Sequence, residues 1–325
     1  MKMWQITKPG SFKFAEGKEA LEEGGVKVKV QRCAISSLDM DYFTGVETAA
    51  YPFVPVRLGA GIISEVFDDK VSAQRGQRVV IEPYFKGRDG KTVVMGKTAD
   101  GFLRDFVSVP AANAYLLPEH VDDDEAVLTD LVAIALCALD KAGLEKGQHI
   151  AIIGAHPIGI IMSQLAIYYQ AVPVLIDARQ DLLDTAAASG IYYTINTSET
   201  DALQKIIEIT GGRLCEASAY LTTSSDKAQR ILDFSSADGR VVFVGAGNLQ
   251  NALTVNLTAI ASKSLTISGI NSGEGFTGRA INMLANKAVD VKPLITRSVG
   301  FDEVPALLQQ LSVRPFMNTI INVKI

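Results

Sequence analysis

The segment Gly154, Ala155, His156, Pro157, Ile158, Gly159 stands between an apolar run, QHIAIIG, and a run with helical spacing, IIMSQLAIYYQ. A glycine turn placed between a strand and a helix lets backbone N–H groups and the positive end of the helix dipole face a pyrophosphate. His156 stands where the middle glycine of GxGxxG would permit the closest backbone approach, so the glycine pattern alone is weak evidence for a nucleotide. Asp177 adds to it. It closes the next apolar run, VPVLID, 23 residues after Gly154, where a carboxylate can accept both ribose hydroxyls of NAD and repel a 2′-phosphate. Arg179, two positions further on, does not remove that charge, so NAD is expected over NADP. Thr222 and Gly245, at the ends of later strand-like runs, are further cofactor candidates by position. A fold of this kind that holds no nucleotide is the alternative, and His156 is the reason to keep it in view.

Other chemistry is sparse. The three cysteines, Cys33, Cys137 and Cys215, lie far apart and in no CxxC spacing, and His120, His149 and His156 form no HExxH pair, so spacing offers no zinc site. The cysteines read as reduced thiols in a cytoplasmic chain. Thirty-one Lys plus Arg against 36 Asp plus Glu, a net charge of −5 with no long basic tract, makes nucleic acid an unsuitable partner. No run of 18 apolar residues and no signal-like amino terminus points to a membrane.

The elements that must position these residues fall into two groups. At roughly 150 residues per domain, 325 residues suggest two packed units. Residues 1–120 read as short β runs (VKVKVQRCAI, GAGIISEVF, QRVVIEPY, FLRDFVSVP) separated by turns. From 121 to 269 helices and strands alternate, beginning with one long helix in DDDEAVLTDLVAIALCALDKAG; alternation implies an α/β, doubly wound parallel sheet. The tail 270–325 ends in a β-like run, NTIINVKI, expected to return to the first domain.

This order, together with CAISSLDMDYFTG, PVRLGAGIISEV, RGQRVV, DGFLRDFVSVPAANAYLLPEHV, LTDLVAIALCAL, IIGAHPIGI, VLIDAR and GRVVFVG, resembles the medium-chain dehydrogenase/reductase superfamily of zinc alcohol, polyol and threonine dehydrogenases. The resemblance implies a GroES-like catalytic domain beside a Rossmann domain. It also implies two zinc sites whose residues are missing here. Ser36 stands at the catalytic zinc cysteine, Leu38 at the relay hydroxyl and Asp41 at the relay histidine; Val56, Arg57 and Leu58 replace glycine, histidine and glutamate. Asp130 stands where the family often has a glutamate, and a single carboxylate cannot hold tetrahedral Zn²⁺. The structural-zinc lobe, EPYFKGRDGKTVVMGKTADG, has no cysteine, so no metal is expected. Asp39 matches an acid that the family keeps.

Without zinc, hydride transfer still needs a group to stabilise the substrate oxygen and a group to move a proton. Arg57 is the candidate for the first, with a plain salt bridge to Asp130 or Asp41 as the alternative reading. Asp41, Tyr42 and Ser36 are candidates for the second, Tyr42 on the argument that a nearby arginine lowers a phenol's pKa. The expected function is an NAD(H)-dependent, zinc-independent oxidoreductase acting on a small alcohol, polyol or carbonyl compound in the interdomain cleft. A zinc-free NADPH quinone or enoyl reductase and a non-catalytic nucleotide-binding regulator are the alternatives. The resemblance also implies a homodimer or homotetramer, with SLTISGI as the pairing edge.

Overall fold

The computed structural model describes residues 1–17, 25–67, 72–87, 89–221, 230–245, 256–311 and 320–325. The chain opens with a hairpin, β1 (Lys2–Lys8) and β2 (Ser11–Glu16), followed by β3 (Gly25–Ile35), α1 (Ser37–Thr44), β4 (Leu58–Val66), β5 (Arg78–Ile81), β6 (Tyr84–Lys86), β7 (Thr92–Val94), β8 (Phe106–Pro110), β9 (Ala114–Leu116) and α2 (Asp123–Ala126). Then come α3 (Thr129–Ala142), β10 (His149–Ile153), α4 (Pro157–Tyr168), β11 (Val172–Asp177), α5 (Gln180–Ala188), β12 (Tyr193–Asn196), α6 (Ala202–Thr210), β13 (Cys215–Tyr220), α7 (Ile231–Phe234), β14 (Ser235–Val244), α8 (Leu257–Ser262), β15 (Thr266–Ile270) and α9 (Thr277–Ala285). The chain closes with β16 (Ile295–Gly300), α10 (Val304–Leu311) and β17 (Ile320–Lys324).

Two compact units result, Met1–Asp130 with Leu294–Ile325, and Leu131–Pro293. The first is built on a sheet ordered β16-β17-β3-β4-β5-β9, with β8 also paired to β3. β17 runs antiparallel to β3, so the carboxyl-terminal strand does return to the first sheet. Its strands alternate: in β3, Val26, Val28 and Val30 are buried while Lys27 and Lys29 turn away, the period-two pattern of a sheet with one face in a core. The cysteine-free lobe closes by backbone pairing instead, Tyr84 opposite Val94 in the β6–β7 hairpin.

The second unit holds a six-stranded sheet in the order β12-β11-β10-β13-β14-β15, parallel throughout. Every residue of β10 is buried, as expected for a strand covered on both faces. The order reverses between β10 and β13, which makes the carboxyl ends of those two strands the crevice where such sheets bind ligands.

The units divide ten residues later than position 120, and 24 later than 269, for reasons in side chains distant in sequence. Arg32 bonds Asp124 at 2.7 Å and Arg78 bonds Asp123, tying α2 to the first unit. Gln164 on α4 bonds the backbone of Asp290 in both directions, holding the segment after α9 to the second. The single helix expected from residue 121 is two: α2, capped by the Asp122 side chain, ends at Ala126 and α3 starts at Thr129.

Candidate functional site

The sequence signal at Gly154–Gly159 is a turn held by backbone geometry. Gly154 has φ +117° and its N–H donates to the Ile176 carbonyl at 2.8 Å. A Cβ on Gly159 would lie 1.9 Å from the Gly154 carbonyl oxygen, so only glycine lets the helix start this close to the strand. Pro157, Ile158 and Gly159 are the first residues of α4, with His156 as its N-cap and Pro157 at the first position. Proline has no N–H there and its φ suits a helix start.

His156 does not cap. Its side chain makes no bond to the first turn of α4, because the imidazole Nε2 lies 2.7 Å from the Leu221 carbonyl. A carbonyl only accepts, so Nε2 carries the hydrogen and Nδ1 is bare. Leu221 directly follows β13 and its N–H donates to Ile153; the ring therefore lies at the crevice between β10 and β13. Burial holds the His156 pKa below the ordinary value, with the Leu221 bond and the Asp177 charge opposing it.

Asp177 ends β11 as expected. Its Oδ2 accepts from Ala155 N–H at 2.8 Å and its Oδ1 from Arg179 N–H at 3.0 Å, which pins the carboxylate beside the glycine turn and leaves each oxygen a further lone pair. Arg179 turns its side chain to Asp181, Nε–Oδ1 3.1 Å and Nη2–Oδ2 2.5 Å. Gly245 closes β14 at φ +64°, its N–H on the Ile270 carbonyl. Thr222 lies outside the described residues.

The first unit gathers a different kind of site from residues far apart in sequence. Arg57 Nε lies 3.2 Å from Asp130 Oδ2, and the Tyr84 hydroxyl donates to the same oxygen at 3.3 Å. Of the two partners anticipated for Arg57, Asp130 is the one it meets. The contact is ionic and not an aligned hydrogen bond, for Arg57 Nε and Asp130 Oδ1 are both buried without hydrogen-bond partners among the described residues. Asp130 is 6% exposed and Arg57 18%, so the guanidinium is the member a ligand can reach. Burial opposes the Arg57 charge, but Asp130, Tyr84, Asp39 and Tyr42 outweigh it and raise its pKa. Burial pushes the Asp130 carboxyl up, against the pull of Arg57 and the Tyr84 hydroxyl.

Arg57 is aimed by a strained backbone. Val56 has φ +80°, a left-handed conformation rare for a β-branched residue and found where surroundings over-determine it. Here they do. Val56 N–H donates to Asp39 Oδ1 at 3.0 Å, and its carbonyl accepts from Phe102 at 2.8 Å. A Cβ on Gly101 would sit 2.2 Å from that carbonyl oxygen. The other Asp39 oxygen accepts from the Ser36 N–H at 2.8 Å and hydroxyl at 2.9 Å. One buried carboxylate thus fastens the start of α1 to the peptide that carries Arg57. The Asp39 carboxyl is raised by burial, against these hydrogen bonds and Arg57.

The other site candidates sort by this geometry. Ser36 spends its hydroxyl on Asp39. Asp41 is half-buried, and burial, followed by Glu47 and Asp39, pushes its carboxyl up to about 6. Tyr42 corrects an expectation: its pKa is not lowered but pushed up to about 12, because burial and the charges of Glu47 and Asp39 outweigh Arg57. Its hydroxyl is buried without a hydrogen-bond partner among the described residues. Cys33 and Cys215, both buried, have thiols raised chiefly by burial, which suits packing and not nucleophilic chemistry. Among the described residues no three His, Cys, Asp or Glu side chains group as a metal site. Sequence reasoning did not find the Asp39–Val56 bond, the Tyr84 hydroxyl or the His156–Leu221 bond. A valine in the family's glycine position was the one available signal, for the first of these.

Comparison with known proteins agrees with both units. The profile described as "Alcohol dehydrogenase GroES-like domain" matches residues 22–119 and "Zinc-binding dehydrogenase" matches 157–288. A zinc-type alcohol dehydrogenase-like protein of Haemophilus influenzae is 28% identical over 310 residues, 90% of this chain and 89% of that protein. Sorbitol dehydrogenase of Bacillus subtilis is 24% identical over 88% of this chain and 86% of its own length. The fold of an Escherichia coli alcohol dehydrogenase solved with its cofactor NADH superposes with a TM-score of 0.90 at 23% identity, over 100% of this chain and 99% of that one. The chain belongs to the medium-chain dehydrogenase/reductase superfamily, as an alcohol dehydrogenase-like oxidoreductase with a GroES-like unit and a Rossmann unit. Among the described residues no helix is long and apolar enough to cross a membrane.

Proposed function

We propose that this chain is an NAD(H)-dependent oxidoreductase that moves hydride to or from a small alcohol, polyol or carbonyl substrate without a catalytic zinc. The observation that carries the metal-free part is the Arg57–Asp130 ion pair. Zn²⁺ in such sites needs mainly nitrogen and sulfur donors. Ser36, Arg57 and Asp130 supply a hydroxyl already given to Asp39, a fixed positive charge and a carboxylate already given to that charge. These residues do not fit zinc.

The glycine turn does fit a dinucleotide: the cradle that a Gly159 Cβ would fill, the start of α4 that His156 does not cap and the Asp177 carboxylate suit a pyrophosphate and an unphosphorylated ribose. A bound nicotinamide supplies or accepts the hydride. Arg57 donates to the substrate oxygen and stabilises its negative charge in the transition state. Asp41, with its carboxyl near 6, is suited to exchange a proton close to neutral pH. Similarity to sorbitol dehydrogenase favours a polyol as the alcohol. The open edge of β15, with Ile267 exposed, is the surface proposed to pair two copies, and free thiols fit a cytoplasmic setting.

Elemental analysis of the purified protein, an NADH fluorescence titration and a polyol screen test this together. The expected result is no stoichiometric zinc, micromolar NADH binding, and turnover that falls at least about 100-fold in Arg57→Ala with NADH binding unchanged. One zinc per chain would overturn the metal-free reading. A clear preference for NADPH would overturn the reading of Asp177, and no dinucleotide binding at all would leave a retired fold.

A further inference from the structure

The position that departs from the glycine fingerprint has a job of its own. His156 lies at the crevice between β10 and β13, its Nε2–H on the Leu221 carbonyl at 2.7 Å and its ring close enough to Gly154 that a Cβ there would meet Cδ2 and Nε2 at 3.3 Å. The residue is the N-cap of α4, yet its side chain makes no cap bond to the helix and bonds Leu221 instead. The first N–H bonded within the helix is that of Ile160, on the His156 carbonyl. Pro157 has no N–H, so those of Ile158 and Gly159 are the donors a helix start leaves for an anion.

Resting on the dinucleotide reading above, we propose that His156 is a ligand of the cofactor's pyrophosphate and meets it as an imidazolium, so that binding the dinucleotide takes up a proton. The Leu221 bond persists in either protonation state, because Nε2 carries hydrogen in both. The proton comes from solvent and goes to Nδ1, which changes from acceptor to donor. In the free protein burial keeps the ring neutral; the Leu221 carbonyl on the β13 side and Asp177 on β11 are the opposing groups, and Asp177 is the charged one among the described residues. Asp177 divides its oxygens between Ala155 and Arg179 and does not bond the ring. The two negative charges of a pyrophosphate add to its pull and favour the protonated ring.

The test is isothermal titration of the purified protein with NADH at pH 7 in two buffers of different ionisation enthalpy, phosphate and Tris, and a pH series. The expected wild-type result is a binding enthalpy that differs between the buffers by net proton uptake, with Kd about tenfold tighter at pH 6 than at pH 8. His156→Gln, which keeps an N–H for Leu221, and His156→Gly, which restores the glycine, lose both effects. NADH binding with the same enthalpy in both buffers, or uptake that survives in both variants, overturns the proposal while leaving the dinucleotide reading intact. Absence of NADH binding in any buffer overturns that reading and this one with it.

Discussion

The glycine turn of the second unit and the Arg57 cluster of the first are both places where chain is brought unusually close to chain, but they are specified differently. At Gly154–Gly159 the geometry is local. One strand, one turn and one helix make it, and the partner Asp177 lies on the next strand of the same sheet. At Arg57 the geometry is assembled from five stretches: Asp39 on α1, Val56 before β4, Tyr84 on β6, Gly101 and Phe102 before β8, and Asp130 on α3. A site made by backbone and glycine changes little when a side chain is replaced, whereas a site made by side-chain charge depends on every partner. In this family member the first kind kept its form despite His156. The second kind has an ion pair where the family resemblance implies a metal.

The sharpest way to break the comparison is to add one methyl group to each region. Gly159→Ala and Gly101→Ala each drive a Cβ into a carbonyl oxygen, at 1.9 and 2.2 Å, and backbone atoms cannot rotate aside. Each is expected to cost about 3 kcal/mol in urea unfolding. Of the two, Gly159→Ala abolishes NADH binding, and Gly101→Ala lowers turnover with NADH affinity retained. Equal loss of NADH binding in both would show that the regions are not separable.

Next in size is the ion pair. Asp130→Asn leaves the Arg57 guanidinium without its carboxylate and is expected to destabilise by about 2 kcal/mol. If the cluster is a charge pair, and not merely a polar filling, the double variant Arg57→Met with Asp130→Leu recovers most of that stability in the same unfolding assay while remaining inactive. A double variant no more stable than Asp130→Asn would refute this.

A smaller effect separates Asp41 from both. Its folded-state carboxyl, at about 6, lies above the unfolded value near 4, so the folded chain binds more protons in that window and stability falls as pH rises from about 4 to 6. Asp41→Asn is expected to flatten this slope and to gain about 1 kcal/mol at pH 7, the full shift being discounted because the group is half-exposed. Thermal melts at pH 4, 5, 6 and 7 measure it, and an unchanged slope would assign the pH dependence elsewhere. The least effect is expected at Arg179. With its side chain committed to Asp181, Arg179→Ala should move the NADH Kd by no more than about twofold. A tenfold loss would make it a cofactor ligand.

The same contrast governs what could be read in advance. The parallel sheet, the turn and the place of Asp177 at a strand end were legible, because hydrophobic runs and glycine spacing record local conformation directly. The helix break at Val127–Leu128 was not, since its residues are as apolar as the helix that follows and nothing in the composition marks a stop. Tyr42 misled because the expectation counted a nearby arginine and left out burial, Glu47 and Asp39. The unit boundaries shifted because Asp123, Asp124 and Asp290 find their partners across 45 to 126 residues of chain.

By itself the amino-acid sequence determined the two-unit α/β plan and the glycine turn with the acid that ends the next strand. Only the tertiary structure decided that Arg57 pairs with Asp130 and not Asp41, that Asp39 holds a left-handed Val56 to aim it, and that His156 turns to Leu221 and does not cap α4. The physical reason is range. Backbone conformation and burial pattern are set by neighbours a few residues away, while the state of a buried charge is set by whichever distant groups the fold delivers to it.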